Sequence, residues 1–305
     1  MTDTRRILVT GSHRSGTTWL GRVLSASTDV YYIAEPFNIS FNHPDNPIDK
    51  WFYYIPSDKK DARVYNYLKH HFHFSPKALL SDLKKINSLS WAKGIAIRQA
   101  HKMFRPYKVM KDPIAIMSAE WLAANFDMKV VVSIRHPAAF ASSLKVKGWK
   151  FDFSSLLSQR DLISNHLSSF EPEVKRLAEN EHPIVEQAGL LWNMIYTRVW
   201  QYSQTHTDWM FVRHEDISSH PEIHFEKLLE YMGIPYSEQI RQMVRATTSA
   251  KKNKNTIEES LRDSLYRDSR QNIKSWKDRL THSEADFMRG YTRSVWNNFY
   301  DESDW

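Results

Sequence analysis

The sequence contains no cysteine, which excludes disulfide bonds, thiol nucleophiles and metal sites built on thiolates. It also lacks an apolar run of the roughly 18 residues that a membrane-spanning helix needs. In the opening stretch MTDTRRILVT, no apolar signal region precedes the first predicted strand. We therefore expect a protein of the cytoplasm with no membrane span.

Acidic side chains are in the minority, since 35 Asp and Glu stand against 42 Lys and Arg, for a net charge of +7. A basic excess suits an anionic ligand, although charge of this size says more about solubility than about binding. The remaining composition, with 41% hydrophobic and 25% charged residues, is ordinary for a globular protein. No internal repeat or linker divides the chain, so we expect a single domain over residues 1–305.

Short apolar runs alternate with helical patterns along the chain. The predicted strands are Arg6–Thr10, Tyr107–Asp112, Lys129–Ile134 and Trp209–His214. Helical patterns follow the first three of them, in TTWLGRVLSAS, AIMSAEWLAANF and PAAFASSLKVK. This alternation is typical of an α/β fold with a central parallel sheet flanked by helices. Because ligands of such sheets bind beyond the carboxyl ends of the strands, we expect the functional residues at that edge.

The loop after the first predicted strand, GSHRSGTTWL, is similar to a phosphate-binding loop. Gly11, Gly16 and Thr18 have the spacing of the P-loop motif, in which backbone N–H groups surround phosphate oxygens. Thr17 stands where that motif has a lysine, and Arg14 supplies a cation three residues earlier. The loop therefore predicts an anion site in which the usual lysine is replaced.

Cations stand at other predicted strand ends, where a nucleotide hydrolase would hold Mg²⁺ with an Asp. Arg135 follows the strand Lys129–Ile134, and Lys111 lies near the end of the strand before it. Together with Arg14 they place three positive side chains at one edge of the predicted sheet. This pattern indicates an anion neutralised by protein charge, with no metal expected.

Further motifs follow the loop in a fixed order. Ser143 comes eight residues after Arg135, and Lys111 comes 24 residues before it. The segments FVRHEDISSHPEIHFEKLLEYMGIP and SRQNIKSWKDRLT come later. With the loop Arg14–Trp19, these motifs resemble the sulfotransferases that use 3′-phosphoadenosine 5′-phosphosulfate (PAPS). The resemblance covers nearly the whole chain and implies a P-loop-like sulfotransferase fold, with 3′-phosphoadenosine 5′-phosphate (PAP) as the product.

The resemblance also implies a role for each matching side chain. Arg14 and its loop hold the 5′-phosphosulfate at a helix N-terminus, where the helix dipole favours anions. Trp19 stacks on adenine. Arg135 and Ser143 bind the 3′-phosphate, the arginine through its forked guanidinium, and Arg270 falls where the family often has another basic ligand. The implied PAPS ligands are Arg14, Ser15, Gly16, Thr17, Thr18, Trp19, Arg135, Ser143 and Arg270.

Sulfuryl transfer needs a base for the acceptor and cations for the developing charge. The family's small-molecule branch has a histidine two residues after the strand-end lysine, where this chain has Pro113. The carbohydrate and protein-tyrosine branches have a glutamate about 21 residues after the loop arginine, which corresponds to Glu35 in YYIAEPFN. The resemblance thus implies Glu35 as the general base, with Arg14 and Lys111 stabilising the transferred group. His13 and the cluster His70–His73 stay open as alternatives.

Two other classes of function also stay open. The loop is compatible with a nucleotide kinase or NTPase, and the basic run AKKNKN with a non-catalytic polyanion binder. The strand-end cations favour the sulfotransferase and give no reason to expect nucleic acid as a partner. The aromatic, histidine-rich insert, approximately residues 37–76, is expected to form loops or short irregular helices around the acceptor. That acceptor is a small molecule, a sugar or a lipid, and His214 stands where many family members have tyrosine.

Overall fold

Five parallel strands form the centre of the described fold. A computed structural model describes residues 5–41, 43, 45–74, 79, 88–248 and 273–305. The order across the sheet is β2-β3-β1-β4-β5, and each neighbouring pair is parallel. The central parallel sheet that the sequence predicts is confirmed. The strands are β1 (Arg5–Gly11), β2 (Val30–Ala34), β3 (Tyr107–Lys111), β4 (Met128–Ile134) and β5 (Met210–Arg213).

Helices cover both faces of this sheet. In chain order they are α1 (Thr17–Leu24), α2 (Ala62–Phe72), α3 (Leu89–Phe104), α4 (Ala119–Phe126), α5 (Pro137–Lys147), α6 (Ser154–Leu157), α7 (Arg160–Leu162), α8 (Glu171–Glu179), α9 (Ile184–Thr205), α10 (His214–Ser219), α11 (Pro221–Met232), α12 (Glu238–Thr248), α13 (His282–Tyr291) and α14 (Arg293–Trp296). Short 3₁₀ segments span Ile39–Phe41, Pro113–Ser118, Ser168–Phe170 and Glu302–Asp304. Among the described helices, none has the length and apolarity to cross a membrane.

The sheet is buried on both faces because successive side chains of a strand point to opposite sides. Along β1, Ile7 and Val9 belong to one apolar core, whereas Leu8 between them belongs to the other. The core around Leu8 includes residues of α2, α4, α5 and α9, and the core around Ile7 includes residues of α1, α11 and α12. Continuous apolar strands are what a doubly covered parallel sheet requires.

Local signals in the sequence set the limits of several helices. Pro137 occupies the first turn of α5, where a missing N–H costs nothing, and Gly148 ends it at φ 63°. Thr281 and Glu284 form a reciprocal capping box at the start of α13. These ends agree with ordinary helix chemistry.

The insert after β2 differs from its prediction. Residues Ala62–Phe72 form a regular three-turn helix, α2, so the expectation of loops or short irregular helices is wrong there. Asp61 caps this helix by accepting hydrogen bonds from the N–H groups of Arg63 and Val64, each at 3.1 Å. The side chains of Val64, Leu68 and Phe72 lie on its buried face at helical spacing.

Candidate active site

The carboxyl ends of four neighbouring strands bring the predicted site residues to one edge of the sheet. β1 ends in the loop that carries Arg14, and β2 ends at Ala34, directly before Glu35. β3 ends with Lys111, and β4 ends at Ile134, directly before Arg135. The structure therefore places all four side chains on the rim where ligands of parallel sheets bind.

The loop between β1 and α1 has a backbone that depends on glycine. Gly11 and Gly16 have φ values of 145° and 90°, which other residues rarely adopt. A Cβ on Gly11 would collide with the carbonyl oxygen of Ser133, and a Cβ on Gly16 with the ring of His214. Gly16 is the N-cap of α1 and supplies no side-chain acceptor. The first N–H groups of α1 are thus placed to bind an anion.

Glu35 and Lys111 form a buried ion pair. The other carboxylate oxygen of Glu35 accepts a hydrogen bond of 2.5 Å from the Asn38 amide. The backbone joins them too, because the Glu35 N–H donates to the Lys111 carbonyl at 2.8 Å. Glu35 has φ 44°, a left-handed conformation that is uncommon outside glycine and often marks functional sites. The structure therefore holds a carboxylate and an ammonium group against each other at the rim.

Asp112 is a buried carboxyl group beside this pair that was not predicted as a site residue. Its side chain accepts hydrogen bonds from the N–H groups of Phe37, at 2.6 Å, and Ile114, at 3.0 Å. Burial raises the pKa of Asp112 to about 7, reinforced by the charge of Glu35, while the two hydrogen bonds and Lys111 act in the opposite direction. Asp112 ties the end of β3 to the chain that follows Glu35. Its position next to Lys111 was a sequence signal, but its partners were not visible in the sequence.

Arg135 is nearly buried after β4, and its surroundings hold it in place. Its backbone N–H donates to the Tyr196 hydroxyl at 2.9 Å, and its carbonyl accepts from the Trp192 indole at 2.9 Å. Its Nε lies 3.5 Å from a carboxylate oxygen of Glu215. The buried Nε makes no hydrogen bond, so its contact with Glu215 is an ion pair alone. Ser143, predicted to bind the 3′-phosphate together with Arg135, accepts a hydrogen bond of 2.8 Å from Arg14, and its role as a ligand stays a prediction.

Trp19 lies in the first turn of α1 and packs between helices. Its indole N–H donates to the Thr247 hydroxyl at 2.9 Å. Its ring meets the rings of His214 and Phe225 edge-on, with centroids 5.9 and 5.3 Å apart. Adenine stacking by Trp19 stays a prediction. Arg270 lies outside the described residues.

Residues 6–238 match the sequence model of the sulfotransferase family, which is well over half of the chain. The chain belongs to the sulfotransferase family. The family that the loop and strand-end motifs predict is thereby confirmed. No curated protein matches this sulfotransferase.

Solved structures of other sulfotransferase domains share the fold of this sulfotransferase. The sulfotransferase domain from the Synechococcus PCC 7002 olefin synthase has a TM-score of 0.53 at 15% sequence identity, covering 99% of this chain and 97% of that one. The sulfotransferase domain from the curacin biosynthetic pathway has a TM-score of 0.50 at 13% identity, with coverages of 94% and 96%. At these identities the likeness concerns the fold alone, and it confirms the predicted sulfotransferase fold.

The histidines that compete with Glu35 lie in different surroundings in this sulfotransferase. His13 packs against Phe52 and Phe140, and burial, followed by the charge of Arg14, lowers its pKa to about 4. Burial likewise lowers the pKa of His71 to about 3. His43, which was not predicted, lies 3.2 Å from the Glu35 carbonyl oxygen through its Nε2. Within the described parts of the chain, no group of three His, Asp or Glu side chains has a metal-binding arrangement.

Proposed function

We propose that this chain transfers the sulfuryl group of PAPS to a hydroxyl or amine of a small-molecule, sugar or lipid acceptor. The observation that carries the proposal is the contact of Glu35 with Lys111 at the same rim as the Arg14 loop and Arg135. A proton acceptor and a cation side by side suit a reaction in which the acceptor loses a proton while the leaving group gains charge.

The residues at the rim fit a nucleotide with two separate phosphate positions. The glycine backbone of the loop and the N-terminus of α1 suit the 5′-phosphosulfate. Arg135 follows the neighbouring strand β4, where the described ion pair with Glu215 engages its Nε, and its guanidinium suits the 3′-phosphate. Bound PAPS supplies the activated sulfuryl group. Ser143, which accepts a hydrogen bond from Arg14, is proposed as a further ligand of the 3′-phosphate.

Each charged side chain has a defined part in the proposed chemistry. Glu35 takes the proton from the attacking oxygen or nitrogen of the acceptor through its carboxylate. Lys111 and Arg14 provide fixed positive charge near the group being transferred, where charge is largest in the transition state. Because Asn38 and Lys111 both donate to Glu35, its carboxylate has a set orientation before any acceptor arrives. The aromatic insert after β2 is proposed to shape the acceptor pocket.

Calorimetric binding of adenosine 3′,5′-bisphosphate and of AMP, with EDTA present, tests this proposal. A charge-assisted hydrogen bond contributes about 1.5–3 kcal/mol, and about 1.4 kcal/mol is tenfold in affinity. The 3′-phosphate is therefore expected to tighten binding by at least roughly tenfold over AMP. Arg135→Ala is expected to remove most of this preference and leave AMP binding nearly unchanged.

Arg176→Ala serves as the matched control because it removes a guanidinium on α8, where its partners are Glu173 and Glu186. This variant is expected to keep the full preference for the bisphosphate. Equal affinity for the two nucleotides in the unmodified protein, or a strict Mg²⁺ requirement, would contradict the proposal and favour an NTPase. Labelled PAPS offered with sugar, lipid and small-molecule acceptors then identifies the acceptor class.

A further inference from the structure

Glu215 is a buried carboxylate that joins three parts of the chain. One of its oxygens lies 3.5 Å from Arg135 Nε and 3.2 Å from the His136 backbone nitrogen, which donates to it. Its other oxygen accepts a hydrogen bond of 2.8 Å from the Tyr300 hydroxyl. Glu215 and Tyr300 are only 7% and 5% exposed. A buried carboxylate without such partners would be strongly unfavourable, so each of the three contacts helps to fix its orientation.

The segment that contains Tyr300 is itself fastened to the sheet. Arg213, the last residue of β5, donates to the Phe299 carbonyl at 3.3 Å and forms an ion pair with Asp304 at 3.1 Å. The ring of His136 packs against Tyr300 and Trp305, with centroids 5.1 and 4.4 Å apart. The contacts of this segment therefore fix the position from which the Tyr300 hydroxyl donates to Glu215. This segment lies outside the residues that match the family model.

An arginine side chain is long and flexible, and ordering it costs conformational entropy. Glu215 approaches the guanidinium of Arg135 from its Nε side as an ion pair without a hydrogen bond, and no hydrogen bond joins the two terminal nitrogens to a described residue. A guanidinium held in this way keeps its terminal N–H groups for a forked contact with an anion. The orientation of the terminal N–H groups of Arg135 therefore depends on the Glu215 carboxylate. The orientation of that carboxylate depends in turn on the Tyr300 hydroxyl.

We propose that Glu215 and Tyr300 are positioning residues that aim Arg135 at the second phosphate of the nucleotide. The proposal rests on the proposed function, in which Arg135 binds the 3′-phosphate. It assigns the C-terminal segment of the described chain a part in choosing the nucleotide, although Tyr300 itself does not touch the ligand.

The test compares Tyr300→Phe with the unmodified full chain in the affinity ratio of adenosine 3′,5′-bisphosphate to AMP. Tyr300→Phe removes only a hydroxyl and is expected to reduce this ratio by about threefold to tenfold, less than loss of the guanidinium itself. AMP binding, which does not use Arg135, is expected to stay unchanged. Glu215→Gln, which keeps the size of the side chain, is expected to reduce the ratio in the same direction.

Tyr202→Phe is the matched control, because Tyr202 is also fully buried and its hydroxyl donates to the Ile116 carbonyl. It is expected to leave the ratio unchanged even if it lowers the melting temperature. In an Arg135→Ala background, Tyr300→Phe is expected to have no further effect on the ratio, because the guanidinium that the hydroxyl positions is gone.

The outcomes separate the two proposals. If the unmodified protein prefers the bisphosphate and Arg135→Ala removes the preference, but Tyr300→Phe and Glu215→Gln both keep it, the positioning role alone is wrong. If Tyr300→Phe weakens AMP and bisphosphate equally, the hydroxyl is only structural and the positioning role is again wrong. If the unmodified protein has no preference, the proposed function is wrong and the positioning role is lost with it.

Discussion

Glu35 is a single residue on which several constraints act together. It precedes Pro36, which disfavours right-handed helical backbone, and it adopts a left-handed φ of 44°. The carbonyl of Pro36 accepts a hydrogen bond from the Tyr67 hydroxyl at 3.1 Å, and the Glu35 carbonyl contacts His43. Strained backbone persists only where its surroundings hold it, so the turn at Glu35 is maintained by side chains of the insert.

Replacing Glu35 with glutamine tests the residue as a base. Glu35→Gln keeps the shape of the side chain but cannot take a proton, so turnover is expected to fall by roughly 10²–10⁴-fold. Binding of PAP is expected to stay nearly unchanged, as measured by calorimetry. Near-normal turnover in Glu35→Gln, together with its loss in His13→Gln or His71→Gln, would move the base to a histidine.

The site residues differ in how far the sequence could predict them. Lys111 and Arg135 stand next to apolar strands, so their places on the rim followed from strand–helix alternation. Asp112 follows Lys111, and Glu215 lies in the motif FVRHEDISSHPEIHFEKLLEYMGIP, but their roles, like that of Tyr300, come from contacts with residues far away in the chain. Sequence patterns describe neighbours along the chain, whereas a buried carboxylate is defined by neighbours in space.

Among the elements, the loop that leads into α1 is the one most sensitive to a single methyl group. Gly16→Ala would force alanine into φ 90° and bring its Cβ against the His214 ring. We expect a loss of about 1–3 kcal/mol in the free energy of unfolding, measured by chemical denaturation. His214→Ala in the same background is expected to restore part of it, since the collision disappears but the strained φ remains.

Gly94→Ala is the control for this prediction. Gly94 lies in α3, and a Cβ there would have nothing within 4 Å. Alanine is the better helix former, so this change is expected to stabilise the protein by about 0.5–1 kcal/mol. If Gly16→Ala were as harmless as Gly94→Ala, the close packing of His214 on the loop would be wrong.

Elements with a clear pattern or a clear boundary could be predicted, and others could not. Helix α5 was predicted from the pattern PAAFASSLKVK, whose Pro137 lies in the first turn of the observed helix. Helix α9 carries buried residues on nearly all sides, so it lacks the polar face that reveals a helix in a sequence. Strand β2 has half-buried Tyr32 among apolar residues and only five positions, too few to show a period.

At the scale of the whole molecule, His136 makes stability depend on pH. Its ring stacks on Trp276 and touches Trp305, and among the described residues neither ring nitrogen has a hydrogen-bond partner. Burial, followed by the charge of Arg135, lowers the pKa of His136 to about 3. In the unfolded chain His136 takes up a proton near pH 6.5, whereas in the folded protein it stays neutral. The stability that neutral His136 contributes is therefore present above pH 6.5 and is lost as the pH falls toward 3.

Replacing the ring with one that cannot take a proton tests this dependence. His136→Phe is expected to lose less stability than the unmodified protein between pH 7.5 and pH 5, by about 2 kcal/mol. Urea denaturation at the two pH values measures the difference. The other buried histidines titrate in both proteins and cancel in the comparison. Parallel losses in the two proteins would show that His136 is accessible to protons in the folded state.

The order of strands in the sheet has a consequence for the newly made chain. β1 is the central strand, yet its partners β3 and β4 begin only at Tyr107 and Met128. At ribosomal rates of roughly 5–20 residues per second, the apolar stretch Ile7–Val9 waits on the order of 5–20 s without either neighbour. Parallel pairing over such separations also closes slowly once the partners exist. Pairing of the central strand therefore depends on segments of the chain that are made much later.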